Sequence, residues 1–240
     1  MLCPTLRTAA MLTRWKQQFG FRWSIETLPW PIDVSRFPFR SRERCERFVY
    51  VHGSGGACAR RGGVASDVIR RKGLEPLLDA AREVPQIPLI AYANRDQLGR
   101  VPPNVEIRTP PRRNRDLYAD GDVCIQPSLW EGLGLPLLEC QAAGMPLITT
   151  DLAPMNEHSP YAVIPATEVV AGLSPNLWIP AANICPDDIA RVMRAAHGQS
   201  ISTASSQARS FVVREHNWRR VRQRLLQDIT MWVKDSRSCS

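Results

Sequence analysis

The chain has 240 residues, with 44% apolar and 22% charged side chains. That balance is ordinary for a globular protein, and the length is enough for one large domain or two small ones. The formal net charge of +8 suits a polyanionic ligand, an acidic membrane surface or nucleic acid. Nearly all of it is arginine, dispersed in small knots, and only Lys16, Lys72 and Lys234 are lysines. Because the arginines are dispersed rather than gathered on one stretch, nucleic acid is not the expected partner.

The first 25 residues read as a helix ending near Gly20, followed by an irregular piece. Trp30-Pro31-Ile32-Asp33 and Arg36-Phe37-Pro38 form a proline-rich connector. Phe48–His52 (FVYVH) is a β-branched and aromatic strand candidate. It runs into Gly53-Ser54-Gly55-Gly56, a turn able to cradle phosphate through Gly55 and Gly56. It is neither a dinucleotide fingerprint, since Cys58 stands where the third glycine belongs, nor a P-loop. Residues 57–66 read as a loop and carry Arg60 and Arg61. Lys72-Gly73 opens a helix to about Glu83, with Leu74, Leu77, Leu78 and Ala81 on one face.

Pro88–Tyr92 and Val105–Arg108 read as short strands, and Arg112–Ala119 as a short polar helix. Asp120-Gly121-Asp122 is formally a D-x-D metal mark, but it directly precedes a buried strand and is read as a turn. That strand is Asp122–Gln126. Pro127–Gly144 (PSLWEGLGLPLLECQAAG) follows. Pro136 suits the first helical position. Gly132 and Gly134 allow a ligand close to the backbone. The N–H groups around Leu133 and Gly134 point out of a helix start, where the dipole favours a phosphate. Glu139 lies about one turn inside the helix, Glu131 at its lip. Glutamates at a helix start are also favoured by the dipole alone, so neither one by itself identifies a site.

Pro146–Thr150 is a strand, Asp151–His158 a loop, and Tyr161–Ile164 and Leu177–Pro180 further strand candidates. A helix starts at Pro186 and runs to about His197, Ser200–Ser206 is a turn, and Gln207–Glu215 is a helix. A basic amphipathic helix ends near Lys234, with Val221, Leu225, Ile229 and Trp232 as an apolar face expected to be partly exposed. Strands alternating with helices imply an α/β fold with a doubly wound parallel sheet and ligand at the carboxyl ends of its strands.

The seven cysteines form no C-x-x-C pair and no zinc spacing. Their odd count and irregular positions fit reduced thiols, with Cys124 and Cys140 in the core. No segment resembles a signal peptide and no run is long enough to span a bilayer, so the expected location is cytoplasmic.

The string from Pro127 to Gly144, with two glutamates separated by seven residues, resembles the donor-site signature of retaining glycosyltransferases of the GT-B architecture, family 4. The likeness continues through Gly144–Asp151 and covers about residues 30–235. It implies a Rossmann-like domain over residues 41–240. Residues 1–40 would then be a remnant of an N-terminal domain plus the interdomain linker, that domain being almost wholly absent.

It also implies a nucleotide-diphosphate sugar as donor substrate, with no metal and no cofactor besides. Glu131 would be the catalytic carboxylate, holding donor-sugar hydroxyls and stabilising charge at the anomeric carbon. Glu139 would accept the ribose diol. Lys72 and one of Arg60 or Arg61 would hold the diphosphate, with Gly55, Gly56, Gly132, Leu133 and Gly134 lending backbone. The acceptor is left unknown, a separate chain supplying the missing half and a peripheral membrane contact are left open, and so is a non-catalytic nucleotide-binding or interaction module derived from such an enzyme.

Overall fold

A computed structural model describes residues 1–52, 71–93, 98, 100–174 and 177–238. The expected α/β architecture is present. Six parallel strands form the central sheet: β3 (Phe48–Val51), β4 (Leu89–Tyr92), β5 (Val105–Arg108), β6 (Val123–Gln126), β7 (Leu147–Thr150) and β8 (Ala162–Ile164), in the spatial order β5-β4-β3-β6-β7-β8. Chain progression moves outward from β3 to β5, then returns to the other side of β3 with β6. The order therefore reverses between β3 and β6, which makes the crevice beyond their carboxyl ends the natural ligand position.

The four inner strands, β4, β3, β6 and β7, are buried on both faces because both faces are covered. Phe48 and Tyr50 enter one core, with Leu74, Leu77, Ile189 and Met193. Val49 and Val51 enter the other, with Leu137, Leu138, Cys140 and Val212. This is the two-residue alternation of a pleated strand. Helices α2 (Leu74–Glu83) and α4 (Pro186–Ala196) cover the first face. Helices α3 (Leu135–Ala142) and α5 (Ser202–Glu215) cover the second.

Helix α3 has no basic residue in its last turn, yet its negative dipole end is met by two distant guanidiniums. Arg42, 2% exposed, donates to the Ala143 carbonyl, and Arg209 donates to that of Ala142. Arg42 also donates to the carbonyls of Tyr118 (2.7 Å) and Arg40 (2.5 Å). Such cations favour the helix terminus and pair its orphan carbonyls.

Helix α1 (Leu6–Phe19) ends at Gly20 as expected. It packs with a two-stranded parallel sheet that the sequence pattern does not reveal, β1 (Leu2–Cys3) and β2 (Glu26–Thr27). Helix α6 (Trp218–Ser238) packs against this unit. Arg224 donates to the Thr27 carbonyl (3.0 Å) and Trp232 Nε1 to Glu26 (3.3 Å). The apolar face of α6 is partly exposed, as expected: Val221 is buried, Leu225 and Trp232 are half-buried, and Ile229 is exposed.

The other differences are local. Ser200–Ser206 is not a turn: α5 already begins at Ser202, and buried Ser205 accepts from the Arg42 N–H and donates to the Gly144 carbonyl. The polar segment after β5 is a 3-10 turn, Asn114–Tyr118. Leu177–Pro180 extends to Ile184 as β10, pairing antiparallel with β9 (Ala166–Ser174), which the sequence reading does not contain. Asp120-Gly121-Asp122 is the expected turn. Gly121 has φ +78°, and the Asp122 carboxylate accepts from the N–H groups of Glu46 (3.0 Å) and Arg47 (2.9 Å). No helix among the described residues is long and apolar enough to cross a membrane.

Candidate functional site

Lys72 and Glu131 meet at the switch point. Lys72 stands just before α2, after the segment that leaves β3, and Glu131 lies between β6 and α3. The ammonium lies 2.5 Å from Glu131 Oε1, and both side chains are buried. Arg71 approaches the other carboxylate oxygen at 3.5 Å and lies over the Trp130 ring, 5.0 Å from its centroid. Ser128 donates to Glu131 Oε1 (2.8 Å), and Thr150 at the end of β7 donates to the Ser128 carbonyl (2.7 Å).

The lysine is fixed through its backbone. Tyr50 on β3 donates to the Lys72 carbonyl (3.2 Å), and the Leu129 N–H donates to the carbonyl of Arg71 (2.8 Å). Gly73 has φ +70°, and a Cβ there would lie 1.9 Å from the Pro127 carbonyl oxygen. No other residue permits this close approach of the β6 and α2 connections.

Burial is the main influence on Lys72 and lowers its pKa, while the Glu131 charge opposes that shift. His52, one residue past β3, is lowered to about 4 by burial and then by the Lys72 and Arg71 charges. Its Nδ1 lies 2.9 Å from the Tyr50 hydroxyl. It is neutral at physiological pH, and its placement is that of a strand-end residue. The ensemble is therefore a single carboxylate facing two cations in a nearly dry setting, with a net positive charge available to an anion.

Glu139 belongs to a second cluster. Its carboxylate accepts from the Tyr118 hydroxyl (2.9 Å) and from Asn114 Nδ2 (3.3 Å). None of its partners is shared with Glu131 among the described residues. A carboxylate has about four acceptor positions, of which two are taken among the described residues. Glu139 lines a cleft of about 400 Å³ together with Trp30, Asp33 and Phe37 of the connector, Arg113 and Leu135.

Between these clusters lies the start of α3. Gly134 (φ +61°) is its N-cap and offers no side-chain hydrogen bond to the helix N–H groups. Gly132 is exposed, with nothing within 4 Å of where a Cβ would stand. Leu133 is half-buried. Beneath Gly134 is His158, buried, with Nε2 lacking a partner among the described residues. Burial and then His216 lower its pKa to about 4.

Of the residues singled out from sequence, the structure brings Lys72 and Glu131 into contact and sets Gly132, Leu133, Gly134 and Glu139 on the adjoining turn and helix. Gly55, Gly56, Arg60 and Arg61 lie outside the described residues. Arg71 and Ser128 escaped the sequence reading, although adjacency to Lys72 and the spacing of three to Glu131 were available signals. Tyr118 and Asn114 gave none, because their relation to Glu139 is purely tertiary.

A family model described as glycosyl transferases group 1 matches residues 62–175. No curated relative matches the chain at the level of sequence. Among solved structures, the chain is similar to the GtfA/B complex (TM-score 0.66, 16% identity, 95% of this chain and 45% of that one). It is similar to sucrose-phosphate synthase from Thermosynechococcus elongatus (TM-score 0.62, 17% identity, 98% and 58%). It is also similar to Anabaena HepE crystallised with UDP and glucose (TM-score 0.62, 11% identity, 95% and 62%). The chain thus spans about half the length of these structures. What it shares with them is the fold, the Rossmann-like architecture of GT-B glycosyltransferases.

Proposed function

We propose that residues 41–240 form the donor-binding half of a retaining GT-B glycosyltransferase of family 4 type, taking a nucleoside-diphosphate hexose and passing the hexosyl group to an acceptor held elsewhere. The observation that carries this reading is the buried Lys72–Glu131 pair beside the start of α3, at the point where the strand order reverses. Lys72 and Arg71 neutralise the diphosphate leaving group, the chief electrostatic demand of the reaction. The N–H groups near Leu133 and Gly134 add donors along the helix dipole. Glu131 accepts hydroxyls of the donor sugar and stabilises positive charge at its anomeric carbon. Glu139, oriented by Tyr118 and Asn114, accepts the ribose diol. The family-model match over residues 62–175 supports this assignment. Of the two arginines expected from sequence, Arg60 and Arg61, either remains a candidate beside Arg71.

The test is calorimetry of UDP and GDP binding to Glu139→Ala and Glu139→Gln. A hydrogen bond to a charged group contributes about 1.5–3 kcal/mol, so affinity falls about ten- to a hundred-fold. Unchanged affinity contradicts the role. A second reading is a nucleotide-binding or interaction module without turnover. Donor binding without sugar transfer, alone and with candidate partner chains, selects it.

A further inference from the structure

Residues 1–25 contain four cations, Arg7, Arg14, Lys16 and Arg22, and no Asp or Glu. No side chain of α1 is buried. Its N-terminal end is nevertheless pinned to the domain. The Glu157 carboxylate accepts from the N–H groups of Leu6 (2.7 Å) and Arg7 (2.9 Å), and the Arg7 guanidinium pairs with Glu168 (2.8 Å) and donates to the Ala153 carbonyl (3.0 Å). The other end has no such ties: Arg14, Lys16 and Arg22 form no ion pair among the described residues.

On that end Met11, Trp15 and Phe19 recur every four residues and so form one stripe. They are 40%, 49% and 59% exposed, and Phe21 continues them at 42%. Phe19, Phe21 and Trp23 lie ring against ring, with centroids 5.8 and 4.3 Å apart. A patch of large aromatic rings thus faces solvent beside three cations that have no ion-pair partner among the described residues.

The charge decides the occupant. Nucleic acid uses open aromatic faces as stacking platforms, but Phe19, Phe21 and Trp23 already pack on one another and Met11 offers no ring; a protein would have to bring a carboxylate to each of the three cations it desolvated. An anionic lipid surface answers both, phosphate headgroups meeting the cations and the acyl boundary taking the rings. We propose that the stretch Met11–Trp23 docks this protein on an anionic lipid bilayer, with α1 lying in the interface. The proposal is independent of the nucleotide reading. Because Glu157 follows β7, docking would hold the carboxyl edge of the sheet at a set orientation to the membrane.

The experiment is sedimentation of the full chain with vesicles of phosphatidylcholine alone, and with about a third of it replaced by phosphatidylglycerol. Binding is expected only to the anionic vesicles and declines as salt is raised. The variant R14Q/K16Q/R22Q is expected to lose about a hundred-fold in partitioning, since each cation near the surface contributes about fivefold. The variant W15S/F19S should lose at least tenfold at unchanged charge. Both leave the buried core intact, and wild-type circular dichroism and urea midpoint verify that. The proposal is overturned by equal binding to neutral vesicles, by no vesicle binding, or by variants that bind like wild type. It is equally overturned if W15S/F19S abolishes a concentration-dependent self-association or a nucleic-acid gel shift instead.

Discussion

Glu131→Gln tests the electrostatic argument at its centre. The substitution keeps the shape of the side chain and removes its charge. Lys72 is then left 5% exposed, with the Arg71 guanidinium close by and no carboxylate in contact. Breaking a buried pair in this way costs about 3–5 kcal/mol, a third or more of the stability of an ordinary domain. The loss has a signature in pH. Burial already holds the folded-state pKa of Lys72 below 10.5, and Glu131 is the group opposing that shift. Without Glu131 the folded pKa drops further. Between it and 10.5 the unfolded chain binds the proton and the folded chain does not, so stability rises with pH across that interval. The variant's deficit should therefore be largest near neutrality and shrink as pH approaches 10. Urea unfolding at several pH values measures it. Adding Lys72→Met should restore most of the loss, because the buried ammonium is gone and the amide oxygen introduced at position 131 can still accept from Ser128. A deficit under about 1 kcal/mol at pH 7, or one that grows with pH, refutes the reasoning.

Gly73→Ala should lose about 3 kcal/mol or more in urea unfolding, and weaken nucleoside-diphosphate binding in calorimetry, since the new methyl meets the Pro127 carbonyl and the backbone is left-handed. Arg42→Met should lose a similar amount, because the carbonyls of Arg40, Tyr118 and Ala143 lose the guanidinium together, and Ala143 keeps only the Arg40 N–H (3.2 Å). His158 has a folded pKa of about 4 against 6.5 unfolded. The unfolded chain takes up its proton first as pH falls, so stability is lost between pH 6.5 and 4, by about 3 kcal/mol. His158→Asn should flatten that part of the stability–pH curve measured by urea unfolding.

Much of the sheet was legible because it is doubly covered. Phe48–Val51 and Leu89–Tyr92 are continuous apolar runs, Val123–Gln126 and Leu147–Thr150 begin as such and end in Gln or Thr, and all four are wholly buried strands. Lys72 and Glu131 were legible as members of a pattern of glycine, proline and charge, although their direct contact was not, since it joins residues 59 apart. The hairpin of β9 and β10 was only half seen. Its register is set by pairing between the two strands rather than by an apolar run in either. Ser200–Ser206 misled for a related reason. Serines favour turns through local hydrogen bonds, but Ser205 is spent on Arg42 and Gly144. What stayed hidden were the long-range polar contacts: Arg42 and Arg209 ending α3, and Tyr118 and Asn114 orienting Glu139. None follows from spacing along the chain.

The clasp between the connector and the start of α6 has a consequence for biosynthesis. Ile32 bridges to Asn217, its N–H donates to the His216 carbonyl (2.8 Å), and the Trp218 N–H returns to the Ile32 carbonyl (3.1 Å). Translation makes Ile32 long before Asn217 leaves the ribosome. The sheet can therefore assemble on the growing polypeptide before the connector finds its partner at the start of α6. The ties of β2 to α6, from Arg224 to the Thr27 carbonyl and from Trp232 to Glu26, close later still, because they need residues made after Asn217.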